Sequence, residues 1–187
     1  MRLHEAQKMS KDEMFGFGLT QAVPGGLIME FGTATGHSLD IIVDVAKSIG
    51  QKAYGFDSFK GLPEKWMDGY EAGHFACDVP TRFINQPHSD LVIGLFQDTL
   101  EPFLETHPGH ASFIHIDCDI YSSTKYVLTT LNDRIVPGTV IQFDEIHNYS
   151  NWEEHEHKAF MEFVSENKRK YKWLAQAIEQ ALVVIVE

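Results

Sequence analysis

Asp117 and the pair Asp144-Glu145 place hard oxygen donors at two points 27 positions apart in the chain. The first follows Phe113-Ile114-His115-Ile116 and the second follows Val140-Ile141-Gln142-Phe143. Each preceding run is apolar, β-branched and of strand length, so each acid reads as the carboxyl end of a buried strand. Between them Ser122 to Arg134 is long enough for one crossover helix, closed by a Pro137-Gly138 turn. In a parallel sheet such a unit puts both strand ends on one rim, where open α/β sheets bind ligands. Three carboxylates then converge, and oxygen donors without a paired His or Cys favour Mg²⁺ or another hard divalent cation over zinc or copper.

A second chemical signal lies in Leu27-Ile28-Met29-Glu30-Phe31-Gly32-Thr33-Ala34-Thr35-Gly36-His37-Ser38, a strand, a glycine turn and a helix start. Glycines let the backbone approach a ligand, and the helix N-terminus offers a positive dipole end to a carboxylate. About 25 residues on, Asp57 ends a second strand, where an acid accepts hydrogen bonds from a ribose diol. The combination suits a nucleoside-containing cofactor. A dinucleotide fingerprint requires G-x-G-x-x-G, whereas Gly32 and Gly36 stand four apart, which disfavours an NAD(P)-linked oxidoreductase.

The elements that must position these groups alternate along the chain. Apolar strand candidates occur at Leu27 to Phe31, Ala53 to Phe56, Leu91 to Leu95, Ser112 to Ile116 and Thr139 to Phe143. Ser38 to Ile49 has helical apolar spacing ended by Gly50, and Trp152 to Tyr171 carries a stripe of Phe160, Phe163 and Val164. Two final runs, Lys172 to Ile178 and Ala181 to Val186, are separated only by Glu179-Gln180. A gap that short makes a hairpin, so the last strand runs antiparallel. The expectation is one Rossmann-like α/β domain over residues 1–187, with a seven-stranded, mostly parallel sheet, an antiparallel last strand and helices on both faces. Residues 59–88, broken by Gly61, Pro63, Gly69, Gly73, Pro80 and Pro87, read as a lid or binding loop, and residues 1–25 as an exchanged arm or partial lid.

The pattern E-x-G-x-x-x-G at Glu30 to Gly36 resembles the first motif of class I S-adenosylmethionine-dependent methyltransferases. Four further blocks are similar to the macrocin O-methyltransferase-like branch: Tyr54 to Glu64, Gly94 to Leu100, Asp117 to Thr124 and Val136 to Glu145. Together they cover roughly residues 26 to 165 in order. The resemblance implies that Glu30, Gly32 and Gly36, with Thr33 and Ser38 of the same turn, surround the methionine part of the cofactor. It puts Asp57, followed by Ser58, on the ribose, and Phe96, Gln97 and Asp98 beside the adenine. Asp117, Asp144 and Glu145 become the metal ligands. Many members carry Asp-Asp where this chain has Asp144-Glu145, and Trp where it has Leu95.

Methyl transfer from a sulfonium is an in-line displacement from an activated donor, so the enzyme must align the acceptor and make its oxygen nucleophilic. A divalent ion lowers the pKa of an oxygen it binds. Asp117 is the carboxylate at the centre of that chemistry, and His147 and His74 are candidate proton acceptors. Asp119 either faces the same cavity as Asp117 or caps the helix beginning near Ser122, the cap being the preferred reading; Cys118 reads as a buried inert thiol, and His155 and His157 as members of different helix faces.

A formal charge of −12 on 187 residues repels phosphate backbones and anionic membranes, which excludes nucleic acid and membrane partners. Two cysteines and no apolar N-terminal region fit a reducing cytoplasm. The reading is therefore an S-adenosylmethionine- and Mg²⁺-dependent O-methyltransferase acting on a hydroxyl of a small molecule, a sugar or other diol, with the oligomeric state left open and a homodimer the one assembly considered. Metal-independent transfer to oxygen or nitrogen, and a non-catalytic S-adenosylmethionine-binding protein, are the alternatives.

Overall fold

The computed structural model describes residues 2–187. In chain order the elements are β1 (Gln7–Lys8), α1 (Lys11–Gln21), β2 (Leu27–Phe31), α2 (His37–Ser48), β3 (Ala53–Asp57), β4 (Ser89–Ile93), α3 (Phe96–Thr106), β5 (Ala111–Ile116), α4 (Tyr121–Thr130), β6 (Ile135–Phe143), α5 (Glu156–Glu166), β7 (Tyr171–Gln176) and β8 (Ala181–Ile185). They form one eight-stranded sheet in the order β1-β7-β8-β6-β5-β2-β3-β4. Strands β2 to β6 are mutually parallel, and β8 runs antiparallel to both β6 and β7. The reversed last strand is as expected from the two-residue gap before it, and it inserts between its neighbours.

The chain runs outward from β2 to β4, then returns to place β5 on the other side of β2. That reversal leaves a crevice beyond the carboxyl ends of β2 and β5, where such sheets take ligands. Alternation along the strands feeds two apolar layers. Met29, Phe31, Ile114, Ile116 and Ile141 pack under α3, α4 and α5, while Ile28, Phe113, Val140 and Leu182 pack under α1 and α2.

Three expectations are corrected, and the N-terminal segment takes a definite place. The sheet has eight strands, because Gln7–Lys8 pairs with β7. Residues 2–25 pack into the domain: Ser10 caps α1 through a capping box with Glu13, and Met14, Phe15 and Leu19 are fully buried or nearly so. The fourth strand sits two residues earlier than Leu91 to Leu95, since Gly94 takes φ 147° and Leu95 is the N-cap position of α3. Pro137-Gly138 lies inside β6, where the register against β5 shifts and the Gly138 carbonyl accepts from Val23 N–H at 2.8 Å.

Residues 59–88 contain only the short 3-10 turn Thr81–Phe83 and a Met67 to Tyr70 bridge. They fold back on themselves through Leu62 N–H to His74 O (2.9 Å) and Gly73 N–H to Leu62 O (2.8 Å). Arg82 ties the segment to the glycine turn by donating to Thr35 O at 2.9 Å and pairing with Asp40 at 2.8 Å.

Candidate functional site

The carboxyl ends of the central strands open into a cavity of about 570 Å³, roofed by part of residues 59–88. Its shape depends on Gly32. With φ +95°, a Cβ there would stand 1.6 Å from the Asp117 carbonyl oxygen, so only glycine lets the tips of β2 and β5 come together. Asp57 braces the turn: its carboxylate accepts from Ala34 N–H and from Phe59 N–H, both at 2.7 Å. One side chain thereby holds both the glycine turn and the start of the long segment.

Of the residues expected around the cofactor, Gly32, Thr33, Ser38, Asp57, Ser58, Phe96 and Gln97 line this cavity. Glu30, Gly36 and Asp98 do not. Gly36 packs against the Phe83 ring, and Asp98 is exposed in the first turn of α3. Glu30 points to the α1 side of the sheet, where it is wholly buried and accepts from His115 Nδ1 at 3.0 Å. Glu30, His115 and Gln142 occupy one register row across β2, β5 and β6, a polar row within apolar strands. Gln142 donates to the Lys11 carbonyl at 3.4 Å and Phe15 meets the His115 ring edge-on at 4.9 Å, so α1 seals the row.

Beside the glycine turn, Asp117, Asp119, Asp144 and Glu145 converge on the same cavity. Ligand atoms of Asp117, Asp119 and Glu145 lie within 4.8 Å of one another, as do those of His115, Asp117 and Asp144. The three expected metal ligands are thus shared between two overlapping donor sets, with Asp117 common to both. Asp119 does not cap α4, whose first turn has no side-chain cap; it takes φ 63° and faces the acids. Lys11 reaches in from the start of α1, its ammonium 2.5 Å from Asp144 Oδ1 and 3.9 Å from Asp117 Oδ2. Glu156, the first residue of α5, is buried behind them and accepts from Glu145 N–H at 3.2 Å.

Burial, then the charge of Asp144, pushes Asp117 well above the usual carboxylate range, and burial with Asp117 and Asp144 does the same to Glu145. Burial and Asp117 likewise raise Glu156. Burial alone would lower His115, but its contacts with Asp144 and Glu30 outweigh that and lift it to about 10. Burial works against an ionised Asp144 too, yet His115 holds it below the usual range. Carboxylates outnumber cations, and Glu145 Oε2 is buried without a partner. The donor set fits a hard divalent cation.

The expected histidines stand elsewhere. His147 is buried with Nε2 3.2 Å from the Gln180 carbonyl, and His74 lies exposed between Tyr70 and Phe75; neither lines the cavity. Cys118 is buried, with its thiol 3.4 Å from Thr124 Oγ1 and pushed up in pKa by burial. Lys11, His115 and Glu156 were not singled out as site residues from sequence. The Ser10-x-x-Glu13 capping box was a readable sign of the helix that carries Lys11.

An open α/β sheet with a reversed last strand, a glycine turn after β2 and an acid at the end of β3 defines the class I methyltransferase fold. A methyltransferase-domain family profile matches residues 29–146, and the chain belongs to that family. It is a class I S-adenosylmethionine-dependent methyltransferase. Among solved structures it is similar to the calicheamicin methyltransferase CalS11, with 22% identity, TM-score 0.74, and coverage of 92% of this chain and 76% of that one. The O-methyltransferase NovP shares 17% identity at TM-score 0.75, covering 95% and 80%. An O-methyltransferase from Bacillus cereus in complex with SAH shares 16% at TM-score 0.60, covering 97% and 84%. At these identities the likenesses establish the fold. No curated protein sequence matches the chain.

Proposed function

We propose that the protein transfers a methyl group from S-adenosylmethionine to a hydroxyl oxygen of a small-molecule acceptor, with Mg²⁺ or another hard divalent cation bound by Asp117, Asp144 and Glu145, joined by Asp119. The observation that carries this reading is the shared cavity: the glycine turn and the carboxylate cluster face one space. Such a space lets one pocket hold a sulfonium donor and an oxygen acceptor in line. A divalent ion, when bound, supplies acidity to an acceptor hydroxyl. Gly32 and Thr33 shape the donor side, Asp57 anchors the turn and offers its carboxylate near a ribose, and Phe96 offers a ring edge near a base. Asp117, common to both donor sets, is the residue whose loss removes both.

Three similar structures carry O-methyltransferase names, and CalS11 is described as a TDP-rhamnose 3′-O-methyltransferase, which supports oxygen as the acceptor atom. The −12 charge supports a reading without nucleic acid or anionic membrane partners, and no helix among the described residues is long and apolar enough to cross a membrane. Free Cys77 and Cys118 suit a reducing cytoplasm. Calorimetry with S-adenosylhomocysteine tests the donor site: absence of binding to folded protein would refute the reading. Metal-independent transfer is the second reading, favoured by the Lys11 ammonium on Asp144. Activity that survives chelation would retire the divalent cation and keep the donor.

A further inference from the structure

The proposed acceptor oxygen must enter past a wall that the metal and cofactor chemistry leaves unused. Leu62, Trp66, Met67 and Tyr70 of the long segment line the cavity with Tyr149, which follows β6. The Trp66 ring meets Tyr70 at 5.2 Å and Tyr149 at 5.7 Å, both edge-on, so the wall is one continuous aromatic surface. Ser122 Oγ donates to Glu64 at 2.5 Å, which pins the segment to the first turn of α4.

Two polar atoms in this wall are held by no well-formed hydrogen bond. Trp66 Nε1 and Tyr149 Oη are both shielded from solvent and neighbour each other, the indole N–H bearing on the phenol oxygen, but neither makes a hydrogen bond of full geometry with any described residue. Shielded donors without a full hydrogen bond cost free energy that a ligand oxygen would recover. The charge around them is one-sided. Asp57, Asp117, Asp119, Asp144, Glu145 and Glu179 line the cavity against Lys11, and no arginine lines it. A divalent cation would offset part of that excess, not all of it. A phosphate group would meet this field without the guanidinium fork that phosphate recognition uses.

Resting on the methyltransferase reading, we infer that Trp66 and Tyr149 form the acceptor platform, and that they select an uncharged hydroxylated acceptor with a flat apolar face over any phosphorylated one. The apolar face lies against the rings, and the indole N–H and phenol O–H donate to acceptor oxygens. A nucleoside diphosphate sugar, the acceptor type in the description of CalS11, is thereby excluded here.

The test uses protein saturated with S-adenosylhomocysteine and Mg²⁺ and follows the indole N–H resonances of its three tryptophans, with Trp66→Phe assigning the Trp66 signal. The probes are a panel of aryl glycosides and catechols, each beside its phosphate ester, with TDP-rhamnose as the nucleotide sugar. Neutral members are expected to shift the Trp66 signal, and the esters and TDP-rhamnose to bind at least tenfold more weakly. Tyr149→Phe is expected to weaken the neutral ligands by about tenfold while leaving S-adenosylhomocysteine affinity unchanged. Equal or tighter binding of the phosphorylated members, neutral binding that leaves Trp66 unmoved, or no binding by any neutral member would overturn the inference. Loss of S-adenosylhomocysteine binding in the same sample would instead sink the methyltransferase reading on which it rests.

Discussion

The ammonium of Lys11 lies 2.5 Å from Asp144 Oδ1, although the two residues belong to α1 and the end of β6. A cation in the first turn of a helix faces the positive end of the helix dipole, so its position is held by the acids and not by the helix. Burial opposes the charge on Lys11, but Asp117 and Asp144 outweigh burial and raise its pKa.

An ammonium and a divalent cation therefore compete for the same carboxylates. Lys11→Met is expected to tighten Mg²⁺ binding by about tenfold in calorimetry, equivalent to about 1.4 kcal/mol. Weaker binding in the variant would show that Lys11 supports the ion.

The raised acids set the pH dependence. A carboxyl whose folded pKa lies above its unfolded value, about 4, destabilises the fold as pH rises past that value, because the native state holds the proton longer. Asp117, Glu145 and Glu156 all have this sign. His115 adds stability that is full below about 6.5 and lost as pH rises towards about 10. With chelator present, the melting temperature should fall from pH 6 to pH 9, and Mg²⁺ should restore more at pH 8 than at pH 5.5. A melting temperature that climbs over this range would contradict the assignment, and His115→Gln should flatten its upper half.

Gly32→Ala forces a Cβ into the Asp117 carbonyl at a positive φ. We expect a loss of about 3 kcal/mol or more in denaturant unfolding, with S-adenosylhomocysteine binding abolished. Gly16→Ala, inside α1 with nothing within 4 Å of the added methyl, is the control and should gain up to about 1 kcal/mol. Equal effects at the two positions would refute the steric account.

Asp57→Ala removes the acceptor of two main-chain N–H groups at once. Hydrogen bonds to a charged partner contribute about 1.5–3 kcal/mol each, so S-adenosylhomocysteine affinity should fall at least tenfold and the melting temperature with it. An unchanged melting temperature would confine Asp57 to ligand contact.

Much of the fold was legible because its signals are local. Apolar runs of strand length, the Gly32 to Gly36 turn and the two-residue gap before β8 each act within a few residues, and a parallel sheet turns them into a common rim. Two-residue β1 is too short to show a period, and Pro137-Gly138 looks like a turn until β5 and Val23 bracket it. By itself, then, the sequence determined the sheet class, the glycine turn and the acids at the strand tips. Only the tertiary structure decided that Glu30 turns away from the cavity to His115, that Lys11 closes on Asp144, and that Trp66 meets Tyr149 over the acids. The reason is physical: the burial and pairing of a charged or aromatic group are set by neighbours distant in the chain, and no local period records them.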